Sequence, residues 1–128
     1  MKIPKIPIPN VQGAIREATI KIARNSERFF GDNFRRQGFL DETLEKWKAR
    51  KKEDSGRAIL IKSGALRRSI LIETASRGFI RLSSNLPYSM VHNYGGKYIP
   101  QRKYMGNPKT LNNQNMKILI ETAKKYKR

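Results

Sequence analysis

The sequence predicts an α+β fold, with a helix near each end of the chain and a small antiparallel sheet between them. Three observations lead to this prediction: a helical apolar period in residues 11–34, two strand-like segments around a turn at 76–78, and a second helical period near the C-terminus. Strands grouped between helices are typical of α+β domains, whereas α/β sheets alternate the two. At 128 residues the chain has the size of one domain, which we expect over residues 11–128.

Residues 1–10 are interpreted as an extended, proline-rich arm. Prolines stand at positions 4, 7 and 9, and each lacks an amide proton and restricts the residue before it. Such an arm often packs on a neighbouring chain.

Asn10 is expected to cap the long N-terminal helix, which should run to about Phe34 with Gly38 as its stop signal. Gly31 is a weak point inside this helix. Its apolar positions recur every three or four residues and are Val11, Ala14, Ile15, Ala18, Ile22, Phe29 and Phe30.

Residues 39–50 predict a short helix on which Leu40, Leu44 and Trp47 share one face. Trp47 is interpreted as a core anchor, because a large apolar ring gains most when it is buried. The charged residues near 49–62 have no apolar period, so we expect an exposed loop there.

A β-hairpin is expected in the middle of the chain. Residues 70–74 are rich in branched side chains, residues 79–84 alternate along a strand, and Gly78 lies in the turn between them. Residues 88–94 then predict a short helix that Gly95 and Gly96 stop.

Residues 97–108 predict an irregular crossing or one further strand. Asn113 is expected to cap the last helix. The apolar stripe expected on that helix consists of Met116, Leu119, Ile120 and Ala123.

The composition excludes several classes of site and leaves the role of the charge open. The chain has no cysteine, so it has neither disulfides nor thiolate ligands, and no apolar run approaches the roughly 20 residues of a membrane span. The N-terminus lacks the apolar stretch of a signal peptide, so synthesis in the cytosol is expected. Residues 97–128 carry nine basic residues against one acidic within a net charge of +18, which suits nucleic acid, an acidic protein surface or simply a solvated face.

Few residues are suited to catalysis. His92 is the only histidine, which excludes a multi-histidine metal site within one chain. The alternatives for His92 are a hydrogen bond to the backbone, a contact with a subunit neighbour, or catalysis without any Gly-x-Ser-x-Gly elbow. Gly95 and Gly96 favour a turn over a phosphate cradle, since the full phosphate-binding pattern is absent. We therefore predict no enzymatic activity, no cofactor and no metal.

Two stretches, residues 60–70 and 87–106, resemble the phage virion morphogenesis (tail-completion) family in their residues and in their order along the chain. The first is similar to that family's signature of a small residue, glycine, leucine, arginine, serine and isoleucine before a hairpin. The second resembles its tyrosine-x-x-x-histidine-x-x-glycine-glycine element, followed by proline-x-arginine, an aromatic residue and glycine. The residues that carry the resemblance, with Trp47 upstream, are Ser63, Gly64, Leu66, Arg67, Ser69, Tyr88, His92, Gly95, Gly96, Pro100 and Arg102.

These residues also have a physical interpretation. Ser63 is suited to cap a turn and Gly64 to allow a tight reversal, which would place Leu66 in the core and Arg67 outward. Tyr88 and His92 are four residues apart, so they would share a helix face. The motif residues organise either the fold or an interface.

The resemblance implies a structural protein of a tailed phage or prophage, made in the host cytoplasm and built into the virion. It implies a ring-forming homo-oligomer that contacts tail and head–tail connector proteins, with no membrane. The alternative is a small basic nucleic-acid-binding protein, which leaves non-specific DNA contact open. Its candidate phosphate contacts are Arg67, Arg68, Arg102, Lys103, Lys124, Lys125, Lys127 and Arg128, and its candidate stacking residues are Tyr94, Tyr98 and Tyr104.

Overall fold

The computed structural model describes residues 10–48, 65–76, 78–84, 89–96 and 101–127, and these have the predicted α+β fold. Two antiparallel two-stranded sheets, β1 with β2 and β3 with β4, lie in sequence between a long first helix and a long last helix. The elements are α1 (Val11–Arg36), β1 (Gly38–Leu40), β2 (Leu44–Lys46), α2 (Ala65–Arg68), β3 (Ile70–Ser76), β4 (Phe79–Ser84), α3 (Ser89–Tyr94) and α4 (Lys109–Tyr126). The arm at 1–9 and the charged loop at 49–64 lie outside the described residues.

Local capping determines both ends of α1. Asn10 is the N-cap, as predicted, and its Oδ1 accepts a hydrogen bond from the Gly13 amide at 3.0 Å. At the other end Gln37 adopts the left-handed conformation with φ 57°, and its amide donates to the Asn33 carbonyl. The helix runs two residues past Phe34 and continues through Gly31.

The short helix predicted over residues 39–50 is wrong, because the described part of that range is a tight hairpin of β1 and β2. Gln37 turns the chain, and Gly38 then lies so close to β2 that a Cβ there would be 2.5 Å from the Glu45 carbonyl oxygen. Only glycine fits that approach. Trp47 follows β2 and is buried, so its prediction as a core anchor is confirmed.

The predicted central hairpin is present as β3 and β4, and Gly78 turns it with φ 80°. The register shifts once between Ile72 and Thr74, which is a β-bulge. The side chains nearest the core come from the face that carries buried Ile70, whereas Phe79 lies exposed at the turn.

The last helix begins earlier than predicted, at Lys109, so Asn113 is an exposed residue inside α4 and not its cap. Groups in the first turn of α4 donate hydrogen bonds to Asp41, which lies in the turn between β1 and β2. Asp41 Oδ1 accepts from the Lys109 amide at 2.7 Å, and the Asp41 carbonyl accepts from the Thr110 hydroxyl. A residue distant in sequence therefore supplies the cap.

The buried face of α4 also differs from the predicted apolar stripe. Its fully buried residues are Leu111 and Thr122, while the predicted stripe is only half-buried. The cause is the polar surface that α1 presents to it: Asn115 accepts from Asn25 Nδ2 at 3.0 Å and donates to the Ser26 hydroxyl at 3.2 Å.

The core lies where the C-terminal half of α1 meets β1, β3, the start of α4 and the irregular segment 101–108. It is aromatic-rich, which concentrates apolar burial in few residues. The buried cluster consists of Phe29, Phe30, Phe34, Phe39, Trp47, Ile70, Tyr104 and Leu111.

Candidate functional site

Hydrogen bonds join the irregular segment 101–105 to three other parts of the chain: α1, the residues that follow β2, and α3. We call the residues that make these bonds the 101–105 node; it consists of Asn33, Trp47, His92, Asn93, Arg102 and Tyr104, of which the last four lie in the second sequence motif.

Arg102 is buried inside the node, and its charge is used within the molecule. Its amide donates to the His92 carbonyl at 2.7 Å, and its guanidinium donates twice to the Lys48 carbonyl, at 3.2 and 3.1 Å. Arg102 therefore joins α3 to the residues that follow β2. Because its guanidinium is buried in this role, Arg102 is not one of the outward phosphate contacts considered from the sequence.

Asn93 is the centre of the node. Its side-chain Oδ1 accepts from the amides of Tyr104 and Met105, at 2.9 and 3.1 Å, and its carbonyl accepts from Gln101 Nε2 at 3.1 Å. On the other side, Asn33 Nδ2 donates to the Tyr104 carbonyl at 2.9 Å. Two buried asparagines thus satisfy the backbone of an irregular segment that no sheet or helix supports.

Aromatic rings fill the space under the node. The Phe34 ring lies 5.5 Å from that of Trp47 at 76° and 5.1 Å from that of Tyr104 at 46°. Trp47 Nε1 donates to the Lys103 carbonyl at 2.7 Å. Tyr104 is 2% exposed, so it is not a surface stacking residue for nucleic acid.

His92 is half-buried on α3. Its burial, and next the positive charge of Arg102, lower the pKa of His92 below its usual value, so the imidazole is neutral at pH 7. No group of three or more histidines, cysteines or carboxylates that could hold a metal ion occurs among the described residues. The position of His92 in the node agrees with the interpretation that it supports structure.

Gly95 turns the chain from α3 towards the node. It has φ 83°, and a Cβ there would lie 3.2 Å from the Gln101 amide nitrogen. Both the positive φ and the close approach favour glycine at this position. Gly96 is exposed.

The described part of the first sequence motif, residues 65–70, packs against α1 and β3. Arg67 and Arg68 are exposed on α2, as predicted, and Arg67 lies 3.8 Å from Asp32 across an open cleft of about 450 Å³. Ser69 is buried against the hydroxyl of Ser84 at the base of the hairpin. The cleft is lined on its α1 side by Glu27, Arg28, Gly31 and Asp32.

Several predicted motif residues cannot be compared with the structure. Ser63, Gly64, Tyr88 and Pro100 lie outside the described residues, and for Leu66 only the backbone, in α2, is described.

The structure adds two residues that sequence analysis did not select. Asn33 and Asn93 both bind the backbone around Tyr104. A polar residue in the apolar stripe of α1 was the available signal for Asn33. For Asn93 there was none beyond its place next to His92.

The surface outside the node combines exposed apolar side chains with basic ones. Arg24, Arg28 and Arg35 recur along one face of α1 and are exposed. In the part of the chain that the structure describes, the exposed large apolar residues are Val11, Ile15, Ile20, Leu44, Leu71, Phe79 and Tyr94. Among the described residues, no helix has both the length and the apolar character that a membrane span needs.

Comparison with models of known protein families, with curated proteins and with solved structures finds no match for this chain.

Proposed function

We propose that this chain is a structural, non-enzymatic protein of a tailed phage or prophage, which completes the tail or the head–tail junction. It acts through contacts with copies of itself and with tail and connector proteins, as a component of the particle made in the host cytoplasm. The observation that carries the proposal is the role of Asn93 and Arg102, which both lie in the second motif: their side chains hold backbone segments of the chain together.

The hydrogen bonds of the node support a positioning role for the motif. Asn93, Arg102 and Trp47 all bind main-chain groups. Asn93 also lines an open cleft of about 240 Å³ beside β4, which is smaller than the roughly 300–1,000 Å³ of typical ligand pockets. Satisfied polar networks of this kind rigidify a surface, which favours docking because less conformational freedom is lost on binding.

The character of the surface supports assembly as well. Tyr94, next to the node, is 68% exposed, and Leu71 and Phe79 are exposed on the central hairpin. Each of the two sheets has only two strands in the described part of the chain, so their edges lack further strand partners there. Exposed aromatic side chains and open sheet edges are common features of protein interfaces.

Deletion of the gene tests this role in the bacterial strain that carries it. After prophage induction we expect separated heads and tails or incomplete tails in electron micrographs, and restoration of particles when the intact chain is supplied. A second complementation supplies the Asn93→Ala variant, which should restore particles poorly because the 101–105 node is broken. Normal particles after deletion would contradict the proposal.

Direct nucleic-acid binding is the second candidate, and one observation favours it. Arg24, Arg28 and Arg35 form an exposed row on α1, and Arg67 and Arg68 lie across the neighbouring cleft. A row of arginines next to a basic rim is suited to successive phosphates.

A salt titration with short duplex DNA separates the two candidates. For an assembly protein we expect weak binding that is lost as salt rises through physiological concentration and that does not depend on sequence. Arg24→Gln with Arg28→Gln should reduce the salt dependence of the binding constant. Binding that survives physiological salt and discriminates between sequences would favour the second candidate.

A further inference from the structure

One end of the molecule carries an apolar surface that the described residues leave uncovered. Val11 is 50% exposed, Ile15 39% and Phe79 59%. Val11 and Ile15 lie three residues before Ala14 and Ala18, which are buried, so all four share one face of α1. On that face Val11 and Ile15 remain exposed. We call these three residues the apolar end.

Hydrogen bonds bring the two parts of the apolar end together. The Thr19 hydroxyl accepts from the Gly78 amide at 3.0 Å and donates to the Ile15 carbonyl at 2.6 Å. Thr19 is buried, so this link is protected from water. Phe79 directly follows Gly78 and is therefore held near the turn of α1 that contains Ile15.

The segment that precedes this surface has the composition to cover one like it. Residues 1–9 alternate proline with apolar residues and contain Ile3, Ile6 and Ile8. Each of these isoleucines directly precedes a proline, a position that favours extended over helical backbone, and a proline has a fixed φ. In polyproline geometry nine residues span about 28 Å.

The same restriction argues against an arm that covers its own apolar end. Val11 and Ile15 follow residues 1–9 closely in sequence. A chain whose residues 1–9 covered its own Val11 and Ile15 would therefore have to reverse direction between residues 8 and 11. Ile8 and Pro9 are the restricted pair there, and Asn10 is held by its capping bond to Gly13. A sequence with these restrictions is better suited to reach a second copy than to fold back onto its own helix.

We propose that the arm of one copy, residues 1–9, packs its isoleucines on the apolar end of a second copy. This contact rests on the proposed assembly role and names the surfaces through which copies join. It is apolar, while the chain carries a net charge of +18, so raising salt should strengthen it by screening the repulsion between copies.

Disulfide trapping tests the proposal, and the chain has no native cysteine to interfere. One sample mixes an Ile6→Cys chain with an Ile15→Cys chain under copper–phenanthroline oxidation. The control mixes Ile6→Cys with Ile20→Cys, because Ile20 lies on the same helix, is also 39% exposed and lies on a different face. We expect the Ile6–Ile15 mixed dimer to form at least about tenfold faster than the control dimer, since bound arms raise the local thiol concentration.

The double variant Ile6→Cys/Ile15→Cys distinguishes an exchanged arm from one that folds back. Linked dimers and larger species support the proposal, whereas a monomer with an internal disulfide overturns it. Equal trapping of Ile15 and Ile20, or no trapping of either, also overturns it. If the full-length chain self-associates in sedimentation while the trapping shows no preference, the arm contact is wrong and the assembly role stands.

Discussion

The two halves of α1 bury different kinds of side chain, although they belong to one continuous helix. The C-terminal half buries the large rings of Phe29, Phe30 and Phe34 under the 101–105 node. The N-terminal half buries small residues, among them Ala14 and Ala18, which let other elements approach closely but bury little apolar area. Stability is thus concentrated at one end of the helix, and the other end keeps apolar surface for contacts outside the chain.

Substitutions that remove a ring and an exposed aliphatic side chain test this difference most directly. Phe34→Ala should lower the free energy of unfolding by about 3–5 kcal/mol, because Phe34 is fully buried between Trp47 and Tyr104. Ile15→Ala, at the other end, should cost less than about 1 kcal/mol. Urea unfolding followed by the fluorescence of the single tryptophan measures both; equal losses would contradict the comparison.

Asn93→Ala tests how much the node depends on one side chain. The change leaves the amides of Tyr104 and Met105 without their acceptor, and we expect a loss of about 2–4 kcal/mol in the free energy of unfolding. Asn112→Ala is the control, since the Asn112 side chain donates to the exposed side chain of Asn107 at 2.9 Å and its removal should change stability little. Similar losses of unfolding free energy in the two variants would contradict the central role of Asn93 in the node.

Acid should weaken the node through His92. Its pKa is lowered in the fold, so below about pH 6.5 the unfolded chain takes up a proton that the folded chain resists. Stability is therefore complete above pH 6.5 and falls as the pH drops towards the folded pKa. Unfolding at pH 7 and pH 5 should show this loss, and His92→Gln should remove most of it, because His92 is the only histidine. A wild-type chain equally stable at both pH values would contradict the prediction.

The smallest effect is expected at the N-terminal half of α1. Lys125 and Lys21 lie 2.9 Å from the carboxylate oxygens of Glu17, and their hydrogen bonds lower the pKa of Glu17 to about 2. The stabilisation is complete above the ordinary pKa of 4.5 and is lost as the pH falls from there towards 2. Glu17→Gln should flatten this part of the pH profile, and 1 M salt should reduce the difference. If Glu17→Gln leaves the acid unfolding profile unchanged, the ion pairs of Glu17 with Lys21 and Lys125 contribute nothing measurable to stability.

Much of the local structure could be predicted from the sequence because it depends on neighbouring residues. The cap at Asn10, the hairpin turn at Gly78 and the turn at Gly95 each follow from short-range preferences for capping or for positive φ. The helix predicted over residues 39–50 was wrong because apolar spacing in a short segment does not distinguish a helix from a tight hairpin.

The candidate site depended more on tertiary structure. The sequence selected Trp47, His92 and Arg102, and the structure brings them together around segment 101–105. Their roles followed from which backbone groups lacked partners, and only the folded chain determines that. The buried state of Arg102 and Tyr104 was missed for the same reason, since arginine and tyrosine are usually at least partly exposed.

The sequence by itself determined the α+β class, the long capped helix and the central hairpin, because periodicity and turn chemistry act over a few residues. Only the tertiary structure decided that Asp41 caps α4, that α4 turns a polar face to α1, and that Asn93 supports a segment eleven residues away. These contacts join groups distant along the chain, and their energies depend on burial and on the hydrogen bonds left unsatisfied without them.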